Sequence, residues 1–201
     1  MSKRIEVYFD IMSNYSYIAF EGLTRHRPLW KTPIAFKPIL LGQVMKATGN
    51  KPPIFNQTKE KYVMKDFDLN AQYWNLDVRM PTNFKEWISS VSSKELMETV
   101  ARILWKRYLG EHKDIFSIGG LEEALKGKVP GHQAILDLAE SENAKKKLIS
   151  NTNEAIENES FGAPWTCVKD SSGKVIHHMF GSDRIPQIAF TVGEKFYDRL
   201  E

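Results

Sequence analysis

Residues 5–20 read IEVYFDIMSNYSYIAF, and their reading decides the fold. The first part, 4–9, alternates loosely and is rich in β-formers, which predicts a strand. From Ser16 onward the pattern turns helical and runs to Arg27, before Pro28 stops it. Between strand and helix lies a sharp turn that carries Ser13 and Ser16 at S-x-x-S spacing. Further on, TPIAFKPIL at 32–40 is a second strand candidate flanked by prolines. Strand, helix, strand in that order predicts a parallel pair joined by a right-handed crossover.

Composition bounds what this start can belong to. A chain of 201 residues, 42% hydrophobic, can bury a sizeable core as one domain or as a domain with a large insertion. Its 28 basic and 25 acidic residues leave a net charge of +3, too balanced for a nucleic-acid footprint. Cys167 is the single cysteine, so an intramolecular disulfide and a dithiol redox cycle within the chain are both excluded. The opening MSKRIEVYFD enters a strand with no apolar signal region and no transit-peptide pattern. No apolar run approaches the roughly 18 residues of a membrane helix. The expectation is a soluble intracellular protein with no membrane insertion. Asn14, Asn56 and Asn158 begin glycosylation-type triplets, read here as chance matches.

After residue 40 the strands give way to helices. LGQVMKATGN predicts a short helix ending at Gly49, and 59–74 a longer one. SSKELMETVARILWKRYLG is the clearest helix: Ser92 and Glu95 form a capping box, and Leu96, Val100, Ile103, Leu104 and Tyr108 make an apolar stripe. AILDLAES and ENAKKKLISNTNEAIENE continue the helical content. FGAPWTCVKD, a turn at SSGK and VIHHMFG then predict a β-hairpin. SDRIPQIAFTVGEKFYDRL is expected to close the chain as a helix. A βαβ start, a helical middle and a ββα end predict an α/β, thioredoxin-like fold of the DsbA type. Residues 1–40 and 161–201 would form the thioredoxin-like domain, and 41–160 an inserted helical domain.

Four motifs in this order, FDIMSNYS, GNKPP, FGAP and FGSDR, resemble the kappa-class glutathione transferases and their relatives, the 2-hydroxychromene-2-carboxylate isomerases. The resemblance spans about residues 4–196. Two departures stand out: Asn14 where the family usually has proline, expected to loosen the turn, and a segment at 84–96 short by about a helix. The resemblance implies a glutathione transferase conjugating the glutathione thiolate to small hydrophobic electrophiles, with glutathione as co-substrate and no metal. It also implies a cis peptide bond before Pro164, a homodimer, a role in detoxification, and a mitochondrial or peroxisomal location. The alternatives are a glutathione-dependent isomerase and a non-catalytic DsbA-like binding module.

The same resemblance assigns the site. Glutathione brings its own thiol, so the turn needs a hydrogen-bond donor for the thiolate rather than a cysteine. Ser13 is that residue, at a helix N-terminus whose positive end favours an anion. A plain N-cap is its competing role, and Ser16 reads as a helix residue. Tyr15 is the rival thiol activator, with packing beneath the helix as its own competing role. The remaining glutathione contacts would come from Asn14, Asn50, Lys59, Ala163, Pro164, Ser182 and Asp183. Ala163 would pair its backbone with the cysteinyl unit. Ser182 and backbone N–H groups at the last helix would take the γ-glutamyl carboxylate, and Asp183 its ammonium. Asn50 and Lys59 would hold the glycyl end.

The other candidates are weaker. His177 and His178 are neighbours in a strand and point to opposite faces, which suits no single metal ion. Cys167 reads as a buried small hydrophobe. GSDR and SIGGLEE lack the lysine and spacing of a phosphate-binding loop, and NAKKKL reads as a solvated helix face.

Overall fold

The computed structural model of the chain describes residues 3–78, 94–129 and 131–198. Its organising element is β1 (Arg4–Phe9), which has a partner on each side. It pairs parallel with β2 (Ile34–Pro38) and antiparallel with β3 (Trp165–Lys169), and β3 pairs antiparallel with β4 (Val175–Phe180). The sheet order is β2-β1-β3-β4. The β3–β4 hairpin closes where Asp170 Oδ1 accepts from Ser172 N and Lys174 N, with Gly173 at φ +91°.

Helix α1 (Asn14–His26) makes the crossover between the parallel strands. Between β2 and β3 lie α2 (Leu41–Thr48), α3 (Gln57–Tyr73), α4 (Lys94–Trp105) with one π turn (Lys106–Gly110), α5 (Ile118–Leu125), α6 (His132–Ala139) and α7 (Glu142–Glu157). Gly49 ends α2 in the left-handed conformation. After β4 come a 3₁₀ turn (Ser182–Arg184) and α8 (Ile185–Val192).

The period of two along β1 sends Ile5, Val7 and Phe9 into one core and Arg4, Glu6 and Tyr8 to the opposite face. On the first face Phe9 and Phe20 pack on Phe36 and on Trp105 of α4, which also packs on Tyr17 at 5.1 Å between ring centroids. The sheet and the helices between β2 and β3 therefore share a core. On the second face Tyr8, Ile39, Val44, Ala155, Ala163, Trp165 and Cys167 pack together. At its edge Glu6 meets Arg4, Lys37 and Lys169, and Glu154 of α7 bridges the two lysines.

The strands form where the sequence predicts them. Three differences concern helices. α5 is a helix that the sequence reading does not include. It is started by the Ser117 side chain, which accepts from Gly120 N at 3.0 Å, and a Cβ on Gly120 would lie 2.6 Å from Asp114. α3 begins before Lys59, because the Asn56 side chain caps it through Thr58 N and Lys59 N. The closing helix is shorter than expected: Gly193 stops α8 at φ +78°, and the described residues beyond it are not helical. The capping box of Ser92 with Glu95, the side chain of Leu96, and all but the end of the short segment at 84–96 fall outside the described residues.

Candidate active site

The turn after β1 is held by a hydrogen bond on nearly every group. Asp10 Oδ1 accepts from Met12 N at 2.9 Å, and Asp10 Oδ2 accepts from Leu41 N, the first residue of α2, at 2.7 Å. The Asp10 carbonyl accepts from Ser13 N at 3.0 Å, and Trp105 Nε1 donates to Ile11 O at 3.0 Å. Burial pushes the Asp10 carboxyl up to about 6, against the pull of its two backbone hydrogen bonds.

Ser13 follows in extended conformation as the N-cap of α1. Its Oγ accepts from Ser16 N at 3.1 Å while its hydroxyl donates to Ala163 O at 2.8 Å. The two readings of Ser13 therefore coexist. One lone pair caps the helix, and the proton points into the loop before β3. No acidic residue stands in the first turn of α1, so the helix's positive end is not neutralised locally. Ser16 sits within α1 as expected, its hydroxyl buried with no hydrogen-bond partner among the described residues. Asn14 starts the helix and is buried.

The Ala163–Pro164 peptide bond is cis, as the resemblance implies. Pro164 O accepts from Gly181 N at 3.1 Å, which ties this loop to the start of the last turn. Asn50 reaches the same loop: its Nδ2 donates to Phe161 O at 2.7 Å. GNKPP and the Ser13 turn thus both reach the FGAP loop, which lies more than a hundred positions from either in sequence.

Tyr15 donates its hydroxyl to Asp66 Oδ2 of α3 at 2.6 Å, and Tyr62 donates to the other oxygen at 3.1 Å. Burial and then Asp66 raise the Tyr15 phenol well above its ordinary value, so it stays protonated and committed to that carboxylate. This arrangement weakens Tyr15 as a thiol activator. Lys59, Tyr62 and Asp66 stand at i, i+3 and i+7 on one face of α3, which places Lys59 ~10 Å along the axis from Asp66.

Ser182 and Asp183 do not begin the last helix. They lie in the 3₁₀ turn before it, after Gly181 at φ +103°. The φ of Gly181 lies in the region that L side chains rarely adopt, so the position favours glycine. Ser182 is buried, whereas the Asp183 carboxylate is exposed and pairs with Arg184 at 2.9 Å. Asp183 still acts electrostatically on Tyr15 and Tyr62, which puts its charge on the Ser13 side of the fold.

Asp10, Asp66 and Tyr62 are the site residues that the sequence did not single out. Asp10 stands inside FDIMSNYS, and Asp66 is two turns from Lys59, but their partners come from other segments. Cys167 is fully buried, and burial pushes its thiol up to about 12. No cluster of His, Cys, Asp or Glu that could hold a metal ion occurs among the described residues. A groove of about 610 Å³ between β4 and α8 has none of the Ser13-turn residues in its lining.

The chain is similar to known proteins over most of its length. The DSBA-like thioredoxin domain matches residues 4–192. The chain is 39% identical to glutathione S-transferase kappa 2 of Caenorhabditis elegans, covering 96% of this chain and 93% of the relative. The chain belongs to the DSBA-like thioredoxin family and, within it, to the kappa glutathione S-transferases. Glutathione S-transferase kappa 1 of the same organism is 35% identical over 92% of this chain and 89% of its own. Among solved structures, a 2-hydroxychromene-2-carboxylate isomerase superposes with a TM-score of 0.71 at 22% identity, covering 94% of each chain, which shows a shared fold. In this kappa-family chain the serine occupies the helix N-terminus beside the cis-proline loop.

Proposed function

We propose that the chain is a glutathione transferase in which Ser13 stabilises the glutathione thiolate for attack on a small hydrophobic electrophile. The observation that carries this reading is the Ser13 hydroxyl. It sits at the positive end of α1, hydrogen-bonded to Ala163 O and with no cysteine beside it. A thiolate placed there takes the Ser13 proton as its hydrogen bond in place of the Ala163 carbonyl. That bond and the helix dipole favour the anion over the thiol. The thiol proton leaves to solvent, the sulfur forms a bond to the electrophilic carbon, and the displaced group departs with the electron pair of its own bond.

The rest of the tripeptide is held by charge and backbone. Asp183 supplies a carboxylate for the γ-glutamyl ammonium, and Ser182 a hydroxyl nearby. Ala163, on the loop fixed by Asn50, offers a strand-like edge to the cysteinyl unit. Lys59, exposed in the first turn of α3, neutralises the glycine carboxylate. Asn14 and Pro164 complete the wall beside Ser13. The helices at 41–160 form an inserted domain that supplies the apolar second pocket. By the same family relation the protein acts as a homodimer in detoxification, within mitochondria or peroxisomes.

The deciding experiment measures conjugation of reduced glutathione to a standard aryl halide, with retention on immobilised glutathione alongside. Conjugation with retention supports the transferase. Retention with only chromene-carboxylate isomerisation would replace it by the isomerase, and absence of retention would leave a binding module. Sedimentation tests the dimer.

A further inference from the structure

We propose that Asp10 is a positioning residue for Ser13, its ionised carboxylate clamping the catalytic turn to the first residue of α2. The inference rests on the transferase reading and assigns a role to a residue outside the glutathione contacts.

The geometry is specific to a carboxylate. Met12 N comes from the turn and Leu41 N from the start of α2, and each points a hydrogen at a different oxygen of Asp10, at 2.9 and 2.7 Å. An ionised carboxylate offers two acceptors and no donor. An asparagine would set its NH₂ against one of the two N–H groups, and a serine offers a single oxygen. A protonated Asp10 holds the two segments less well, because its hydroxyl oxygen is a weaker acceptor and its hydrogen needs an acceptor of its own. The charged form holds both segments best.

The setting works against that charged form. Burial holds the carboxyl up to about 6, and no cation offsets it. The charged groups on neighbouring elements are engaged elsewhere. Glu6 and Glu154 pair with Lys37 and Lys169, Glu21 pairs with Arg102, and Lys46 is exposed in the last turn of α2. Folding would be easier with a neutral residue here. The clamp persists three residues before Ser13, in a turn whose next carbonyl is held by Trp105. A catalytic hydroxyl must be placed to a fraction of an ångström, since small displacements cost large factors in rate.

The test compares wild type with Asp10→Asn. At pH 7.5, the variant should lose about tenfold in kcat, with a KM for glutathione within about twofold. Between pH 7.5 and 5, wild-type turnover should fall further than the thiolate absorbance of bound glutathione does, whereas in the variant the two should fall together. Amide exchange of Met12 and Leu41 in the wild-type protein, corrected for intrinsic rates, should quicken below about pH 6, and it needs neither a variant nor turnover. Exchange unaffected by pH would overturn the clamp. So would a variant with wild-type turnover, or one that melts lower and is slower by the same factor at every pH. Failure of wild type to bind glutathione would remove the transferase reading instead and leave the exchange result to stand on its own.

Discussion

The local pattern around Ser13, a strand, a turn, a helix start and a hydroxyl, makes it legible as a helix cap, which the structure bears out, while its proposed thiolate role comes from the resemblance. Its bond to Ala163 O was not legible, being 150 positions away: the resemblance gives the Ala163 backbone to the cysteinyl unit of glutathione, not to Ser13. Asp10 and Asp66 were on the same stretches but silent, because their roles depend on Leu41 N and on the Tyr15 hydroxyl, which no short-range pattern announces. Ser13→Ala removes one hydroxyl, and a hydrogen bond to a charged group is worth about 1.5–3 kcal/mol. The bound thiol should therefore titrate roughly one to two units higher, and turnover at neutral pH should fall about ten- to a hundredfold while the tripeptide still binds. The cap bond to Ser16 N goes as well, at about 1 kcal/mol of stability. Thiolate absorbance and turnover against pH check both, and raising the pH should restore much of the rate. An unshifted thiol titration would return Ser13 to a plain cap. Asp183→Asn tests the other end of the tripeptide. It deletes the charge without changing shape, and KM for glutathione should rise by about tenfold with kcat little changed. An unaltered KM would leave Asp183 with only its Arg184 contact.

Strands were the most readable elements, because β1 is rich in β-formers and prolines or a glycine turn bracket the others. Helices were less so: α5 was not picked out, and Gly193 cut α8 short. What no pattern revealed is how β1 uses its second face. Burial pushes the Glu6 carboxyl up, but hydrogen bonds from Lys169, Lys37 and Arg4 outweigh it and hold the group down to about 2. The ordinary value is 4.5, so Glu6 lends stability that is complete above about pH 4.5 and drains as pH falls towards 2. Asp10 acts in the opposite sense, since its carboxyl is raised: between its ordinary 3.8 and about 6, stability declines as pH rises. Glu6→Gln keeps the shape and strips the charge that Lys37 and Lys169 share. Breaking such a buried network should cost roughly 3 kcal/mol at pH 7 and flatten the acid limb of the unfolding curve. Chemical denaturation at pH 7 and at pH 3 measures both: the gap between the two proteins should be wide at the first pH and narrow at the second. A gap of the same size at both would mean that Glu6 contributes through packing alone.

The order of strands and helices told the sequence reader that a helical segment interrupts the thioredoxin-like halves. It could not tell that Trp105 of that segment would pack against Phe9, Tyr17 and Phe20 and donate to Ile11 O, so that these helices help build the turn that carries Ser13. The candidate site is assembled from residues 10–15, 50–66 and 160–183, none of which is adjacent to the others in an unfolded chain. Glutathione should then bind the folded state alone and stabilise it by mass action. At about 100 times its Kd the ligand adds about 2.7 kcal/mol. For a chain of this size 1 kcal/mol moves Tm by roughly 2–4 °C, so a rise of about 5–11 °C is expected. The shift should survive Ser13→Ala, whose tripeptide contacts are nearly intact, and shrink in Asp183→Asn by about 1.4 kcal/mol at the same glutathione concentration. Thermal scans of the three proteins with and without millimolar glutathione give all the values. A wild-type Tm that does not move would withdraw glutathione as the ligand. A shift abolished by Ser13→Ala would move the main grip from the ends of the tripeptide to its sulfur.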